Sequence, residues 1–305
     1  MEIVLIPILL DLLIWYAPQF SIAPLFAQLA RFYTSAATAP DLPADTGMMA
    51  EQVAELLALT GERTNLLQLL INTTVLHVPG LLANLGATGT QAVAQIASWG
   101  QALTLVAGFG LIGLLVGVIY LNLLALHLPI GRTPKSTGVG EFLQTVIRHW
   151  FMVVLFIVVV AVLLLSAGVP LSIGIGLLTL ISPAIGALAM PFFGGLLLLV
   201  FFYLYFVTAA LILDNLPIQR AMLQSFRLVR NNFWATLGFV IVTNLITIGI
   251  TMILDRLVAI QPIGVVIAVG INAYIGSGLA MALLVFYRTR VLRAAGEQFE
   301  LEVAD

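Results

Sequence analysis

The chain contains no cysteine, and charged residues are scarce in it. Without cysteine the protein can form neither disulfides nor thiolate metal sites, although this says nothing about its compartment. Only 9% of the residues are charged and 61% are hydrophobic, whereas about a quarter of the residues in a soluble domain are charged. The composition therefore excludes an ordinary soluble protein and predicts one embedded in lipid.

An excess of positive charge is also lacking, since the formal net charge is −2 at pH 7. This argues against a nucleic-acid partner, which would need a basic surface. There is no P-loop. Nothing in the sequence places a Ser or Thr, a His and an acidic residue at the same membrane depth, as a catalytic triad would require. The topology derived below puts His77 on the opposite side from His127 and His149, so no metal site is expected. We expect no enzyme activity, no catalytic residues and no cofactor.

Long runs without charge indicate where the chain crosses the membrane. No Asp, Glu, Lys, Arg or His occurs in Trp150–Leu213, Asn231–Leu254 or Leu257–Tyr287. About 20 apolar residues suffice for a helix to cross the hydrocarbon core, where the backbone must satisfy its own hydrogen bonds. A β-barrel would instead show short alternating segments. The pattern predicts an all-α, polytopic membrane helical bundle.

The distribution of basic residues predicts the side on which each connecting stretch lies. Nine of the twelve Lys and Arg residues fall into three stretches: Arg132, Lys135 and Arg148; Arg220, Arg227 and Arg230; and Arg288, Arg290 and Arg293. Positive residues favour the cytoplasmic side. Stretches on one side must be separated by an even number of crossings, so the long charge-free run between the first two is expected to cross twice.

This parity predicts about six transmembrane helices, arranged as hairpins, in a single membrane domain covering residues 1–305. The spans are expected at 3–20, 103–125, 150–168, 189–213, 233–254 and 263–287. Both termini are then cytoplasmic, and the membrane is expected to be the cytoplasmic membrane of a prokaryote. Because Met1-Glu2 is not a basic signal-peptide start, the first span is expected to be retained. Val169–Leu188 is interpreted as an outer loop or a re-entrant segment.

The outer segment, residues 31–101, carries mostly acidic charge and two stretches with helical periodicity, Met49–Thr60 and Thr64–His77. The second stretch contains too many polar residues for a comfortable span. We interpret it as an amphipathic helix in the outer interface or as a lid over the bundle. An arrangement of eight spans, with a further hairpin in this segment, is the alternative.

Two parallel copies of one pattern occur in the chain. Leu128-Pro129-Ile130 and Leu216-Pro217-Ile218 each precede an amphipathic stretch, at 139–149 and 217–232, that leads to a tryptophan. We expect both stretches to be cytoplasmic surface helices whose apolar faces rest on membrane lipids. The residues expected at lipid headgroups or the interface are Arg148, Trp150, Arg220, Arg227, Arg230 and Trp234.

The stretch LILDNLPIQRAMLQSFRLVRNNFWATLG, residues Leu211–Gly238, resembles a broad prokaryotic family of multi-pass membrane proteins. That family includes the membrane domain of some glycerophosphoryl diester phosphodiesterases and related membrane domains of unknown function. The likeness rests on Ala221 and Ser225 in the surface helix and on Phe233-Trp234 at the start of a span. It implies a six-helix bundle. The His-Arg-Gly of the catalytic phosphodiesterase does not occur here, so the resemblance does not imply catalysis.

Asp11 is the most unusual residue, because it lies inside an apolar segment where a charge costs at least a few kcal/mol. It could serve in an ion or proton relay, contact a ligand, or reach water from a short span. Alternatively, it could be a hydrogen-bonded strut with Asn122 as partner, and we favour a structural role.

Further polar groups, Asn244, Asn272, Tyr274 and Ser277, fall within the last two spans, and Gly113-x-x-x-Gly117 with Gly270 and Ala273 suggests close helix packing. The polar side chains either line a substrate path or form interhelical hydrogen bonds, and we favour the second interpretation.

Three functions are compatible with these features. The first is a scaffold or accessory subunit of a membrane complex, which contacts lipids and either a membrane-protein partner or a second copy of the chain. The second is a transporter or lipid-handling permease with a path near Asp11. An intramembrane enzyme ranks last because the chemistry of a site is missing.

Reporter tags inserted near Lys135 and near Arg220 should lie on the same, cytoplasmic side, because both stretches are rich in positive charge. The accessibility of each tag in intact and in permeabilised cells shows on which side of the membrane it lies. Tags on opposite sides would contradict the arrangement of six spans.

Overall fold

The computed structural model of the protein describes residues 2–37, 44–85, 92–130 and 138–296. Most of these residues are helical, which confirms the prediction of a helical protein. The helices are α1 (Glu2–Tyr16), α2 (Ala23–Ala37), α3 (Ala44–Arg63), α4 (Leu66–Thr74), α5 (Leu81–Leu85), α6 (Trp99–Leu126), α7 (Val139–Ile181), α8 (Pro183–Tyr203), α9 (Val207–Leu213), α10 (Ile218–Asn231), α11 (Phe233–Val258) and α12 (Ile263–Ala295). Two short strands, β1 (Gln19–Ser21) and β2 (Val93–Gln95), pair in parallel.

Five helical stretches in the described ranges have the length and apolar composition needed to cross a membrane. They are Trp99–Leu126, Val139–Thr179, Ala184–Leu213, Phe233–Val258 and Ile263–Ala295. Their number and composition indicate a membrane-embedded protein, as the charge-free runs predict.

The first helix is shorter than the span predicted at residues 3–20. α1 has 15 residues and ends at Tyr16, which gives a length of about 22 Å against a hydrocarbon core of about 30 Å. It ends there because Pro18 has no backbone N–H and disfavours helical backbone at the preceding Ala17. The chain continues into β1.

α7 is one continuous helix of 43 residues, so residues 139–149 do not form a surface helix of their own. Pro170 lies inside α7 without ending it. The break comes at Ser182, whose backbone is extended, before Pro183 opens α8. The interpretation of Val169–Leu188 as a loop is therefore wrong, because the segment is helical on both sides of Ser182.

The chain divides into two compact units. The first comprises Met1–Gly117 and Thr247–Ser277, and the second comprises Val118–Ile246 and Gly278–Asp305. In the first unit, α1, α4, α5, α11 and α12 contribute to one apolar cluster. Its members include Leu10, Ile14, Leu67, Ile71, Leu81, Leu254, Val258, Val265 and Val269.

Glycines of α6 and α12 allow the segment between α4 and α5 to approach closely within the first unit. Thr74 lies against Gly113, Leu76 against Gly117 and Pro79 against Gly276. A Cβ at position 117 would lie 2.6 Å from the backbone nitrogen of Leu76. The small-residue pattern at positions 113 and 117 therefore accommodates residues 74–76. No heavy atom of the described residues comes within 4 Å of the Cβ position at Gly270.

In the second unit, Ser225 joins α10 to the turn between α8 and α9. Its hydroxyl donates to the carbonyl oxygen of Tyr203 at 2.7 Å and accepts from the backbone N–H of Phe206 at 3.2 Å. These backbone groups lie at the end of one helix and the start of the next, where intrahelical partners are missing. The Ser225 side chain thus stabilises a helix break in an apolar region.

Gly117→Ala should lower the free energy of unfolding by about 1–3 kcal/mol, because the new methyl group would overlap the Leu76 backbone. The control is Gly108→Ala on the same helix, where an added Cβ meets nothing within 4 Å. Thermal unfolding in detergent, followed by size-exclusion chromatography, compares the two variants. Equal melting temperatures would contradict the close approach at Gly117.

Candidate functional site

Asp11 lies in the core of the first unit with no solvent exposure. One of its carboxylate oxygens accepts from the backbone N–H of Leu81 and the other from that of Leu82, each at 2.9 Å. These N–H groups open the short helix α5 and have no acceptor within it. Hydrogen bonds to a carboxylate are stronger than those to a neutral acceptor. Asp11 therefore clamps α5 to α1 across 70 residues of sequence.

Asn122 has its hydrogen-bond partners in the second unit. Its amide nitrogen donates to the carbonyl oxygen of Val118 at 2.8 Å, and its Oδ1 lies 2.8 Å from His149 Nδ1. The sequence suggests Asn122 as a partner of Asp11, whereas the described hydrogen bonds of each side chain lie within its own unit. The Asn122 nitrogen donates along its own helix, and its oxygen faces the imidazole ring.

His149 connects α6 to the turn after α9. Its Nε2 lies 2.7 Å from Oδ1 of Asn215, and the ring is 2% exposed. Asn215 has a backbone φ of 52°, in the left-handed region that asparagine tolerates better than most residues. This backbone conformation brings the Asn215 amide to the histidine.

Asp214, the preceding residue, is the centre of a second polar network. Its carboxylate accepts from Gln224 Nε2 and Arg288 Nη1, each at 2.9 Å, and from the Tyr287 hydroxyl. Gln224 Nε2 also donates to the Tyr287 hydroxyl at 2.7 Å. The side chains of Asp214 and Arg288 are 14% and 17% exposed, so the ion pair is largely shielded from solvent. The network ties α10 and α12 to the end of α9.

Sequence reasoning missed this second network and the role of His149. The sequence does contain a signal, because Asp214-Asn215 directly follows a long apolar run and precedes Pro217. A polar pair at the end of an apolar helix is a natural place for tertiary hydrogen bonds. Its partners Tyr287 and Arg288 are more than 70 residues away, and no local pattern indicates them.

The other polar residues of the apolar helices differ in their surroundings. Asn244 is exposed and donates to the carbonyl oxygen of Val240 on its own helix at 2.8 Å. Tyr274 is 74% exposed, whereas Asn272 is half-buried. Within the first unit, the fully buried Asp11 does not share the exposed surface of Tyr274.

The residues predicted at headgroups have mixed surroundings. Arg148, Arg220, Arg227, Arg230 and Trp234 are exposed, and Trp150 is partly buried. On α10 the buried stripe consists of Ala221, Ser225, Leu228 and Val229. Phe226 on the same helix is 40% exposed. α10 therefore packs against the protein through this stripe and leaves Phe226 and the arginines exposed.

Within the described ranges, no group of three or more His, Asp and Glu side chains is placed to hold a metal ion. Comparison of the chain with protein-family models, curated proteins and solved structures produced no match. The resemblance of Leu211–Gly238 to the phosphodiesterase-associated membrane domains remains a prediction from the sequence.

Asp11→Asn should destabilise the protein by about 1–3 kcal/mol, because an amide offers one acceptor oxygen where two backbone N–H groups need acceptors. The nitrogen of the new amide would face the other N–H group, so two donors would oppose each other. Asp255→Asn, at an exposed position, serves as the control and should change the melting temperature little. An Asp11→Asn variant as stable as the parent would contradict the clamp.

Proposed function

We propose that the protein is a non-catalytic scaffold or accessory subunit of a membrane complex. The observation that carries this proposal is that the buried polar atoms of Asp11 and His149 have partners inside the fold. Both oxygens of Asp11 accept backbone hydrogen bonds, and both ring nitrogens of His149 face asparagine side chains. Groups bonded in this way stabilise a fixed architecture and have little capacity left for a substrate.

A transporter or lipid-handling permease with a path near Asp11 is the weaker proposal. Such a path would need the carboxylate to face a solute, whereas the side chain is buried and its oxygens are bonded to Leu81 and Leu82. Asn244 and Tyr274 are exposed on apolar helices, where they would face lipid or a partner.

The proposed topology has six spans, with α1 as a short crossing before the five long helices. The stretches that contain Arg148 and Arg220 lie in the cytoplasm, as do both termini, in the cytoplasmic membrane of a prokaryote. The support is the concentration of nine of the twelve basic residues in the cytoplasmic stretches. α10 rests on the inner leaflet, where the exposed Arg227 and Arg230 contact anionic headgroups.

The hairpin of α7 and α8 is the proposed partner surface. Most side chains between Leu155 and Leu178 on α7 and between Leu196 and Phe201 on α8 are exposed. The apolar part of α7, Trp150–Ile181, is about 48 Å long, against about 30 Å of hydrocarbon core. A helix of this length must tilt strongly or be covered by another protein beyond the core. We propose that another protein covers it, either a membrane-protein partner or a second copy of the chain.

A photo-crosslinking amino acid at Ile173, which is 60% exposed on α7, should form discrete adducts with protein in living cells. The control is the same amino acid at Val153, which is fully buried on the same helix, and it should form none with another chain. The adduct mass distinguishes a second copy of this 32.7 kDa chain from a different protein. Adducts to lipid alone, with a single chain per detergent particle, would overturn the scaffold proposal.

A further inference from the structure

We propose that residues 66–85 re-enter the membrane from its outer side and that their exposed polar face borders a water-filled crevice open to that side. Both ends of this segment connect to the same small sheet. Asn65 bridges Ser21 of β1 and accepts from the backbone N–H of Phe20 at 3.1 Å. β2, which follows α5 in the chain, pairs with β1. The chain before the segment and the chain after it therefore both lie at this sheet.

Two helices independently give the depth that the segment reaches. Thr74 lies against Gly113 and Leu76 against Gly117 of α6, while Pro79 lies against Gly276 of α12. From the predicted start of the α6 span at residue 103, Gly113 lies about 15 Å along the helix; from Ile263, Gly276 lies about 20 Å along α12. In a core about 30 Å thick, both distances correspond to the middle of the membrane.

The two arms of the segment are held together at this depth. The amide nitrogen of Asn72 on the descending arm donates to the carbonyl oxygen of Ala83 on the returning arm at 2.9 Å. His77 turns the chain between them with a left-handed φ of 57°. The Asp11 clamp secures the returning arm to α1. The segment is therefore a built hairpin and not a surface loop.

One face of the descending arm is polar and uncovered by the described protein. Asn72 and Thr73 are exposed on this face, next to the exposed Leu69. Polar side chains facing hydrocarbon are rare. The non-helical backbone that follows this arm is already covered by α6 and α12, so it is the exposed amide and hydroxyl groups of the arm that call for water. Water along this face solvates them.

The test uses the absence of cysteine, because each introduced cysteine is then the only thiol in the chain. Thr73→Cys should react with a charged, membrane-impermeant methanethiosulfonate reagent added to the outer face of right-side-out vesicles. Leu111→Cys, at a similar depth on α6 and 41% exposed, should not react because it faces lipid, where a thiol does not ionise. Asn72→Cys gives a second measurement at the same level if the Thr73 variant does not reach the membrane.

The inference rests on the topology proposed above. Glu55→Cys, on the exposed surface of α3, tests that topology separately from the crevice. Modification of both the Thr73 and Glu55 variants from outside, without modification of the Leu111 variant, supports the crevice. An unreactive Thr73 variant beside a reactive Glu55 variant overturns the crevice and leaves the topology intact. Modification of Glu55→Cys only in inside-out vesicles overturns the proposed topology and the outward opening together.

Discussion

The carboxylate of Asp11 accepts hydrogen bonds from two backbone N–H groups in an apolar part of the protein, and the architecture of the first unit depends on this contact. Backbone polar groups that meet neither water nor a partner cost several kcal/mol each in hydrocarbon. α5 has only five residues, so its first N–H groups make up much of its backbone. A carboxylate from another helix satisfies them and fixes where the helix lies.

The same requirement explains the serine in the second unit. Ser225 donates to Tyr203 and accepts from Phe206 across the break between α8 and α9, so the interruption leaves fewer backbone groups unpaired. The two units thus stabilise their irregular backbone in the same way, with a buried polar side chain from a distant helix. This use gives both polar residues a structural role in such an apolar chain.

Close packing against glycine residues is the other feature that stabilises the first unit. Residues 74–79 lie against helices only because Gly113, Gly117 and Gly276 have no side chains. In lipid there is little hydrophobic force between helices, so close contact and hydrogen bonds stabilise the association. By contrast, the α7–α8 hairpin is mostly exposed, and its stability in this region depends on lipid or on another protein.

Several features could be predicted from the sequence because they depend on local hydropathy. The helical fold, the long apolar helices and the unusual position of Asp11 all follow from which residues are apolar over about 20 positions. The topology inferred from charge asymmetry stays a prediction. Helix ends were less predictable: Ser182-Pro183 ends a helix, whereas Pro170 does not, because the cost of one lost hydrogen bond depends on the surrounding helix and packing.

The partners of the polar residues were decided by tertiary structure alone. Hydropathy identifies Asp11 as costly in lipid but carries no information on the acceptor or donor that will meet it. The two backbone N–H groups that donate to Asp11 are about 70 residues away in the sequence. The Tyr287 hydroxyl is similarly far from Asp214. A hydrogen bond requires two atoms to meet within about 3 Å, and only the packing of helices brings such distant residues together.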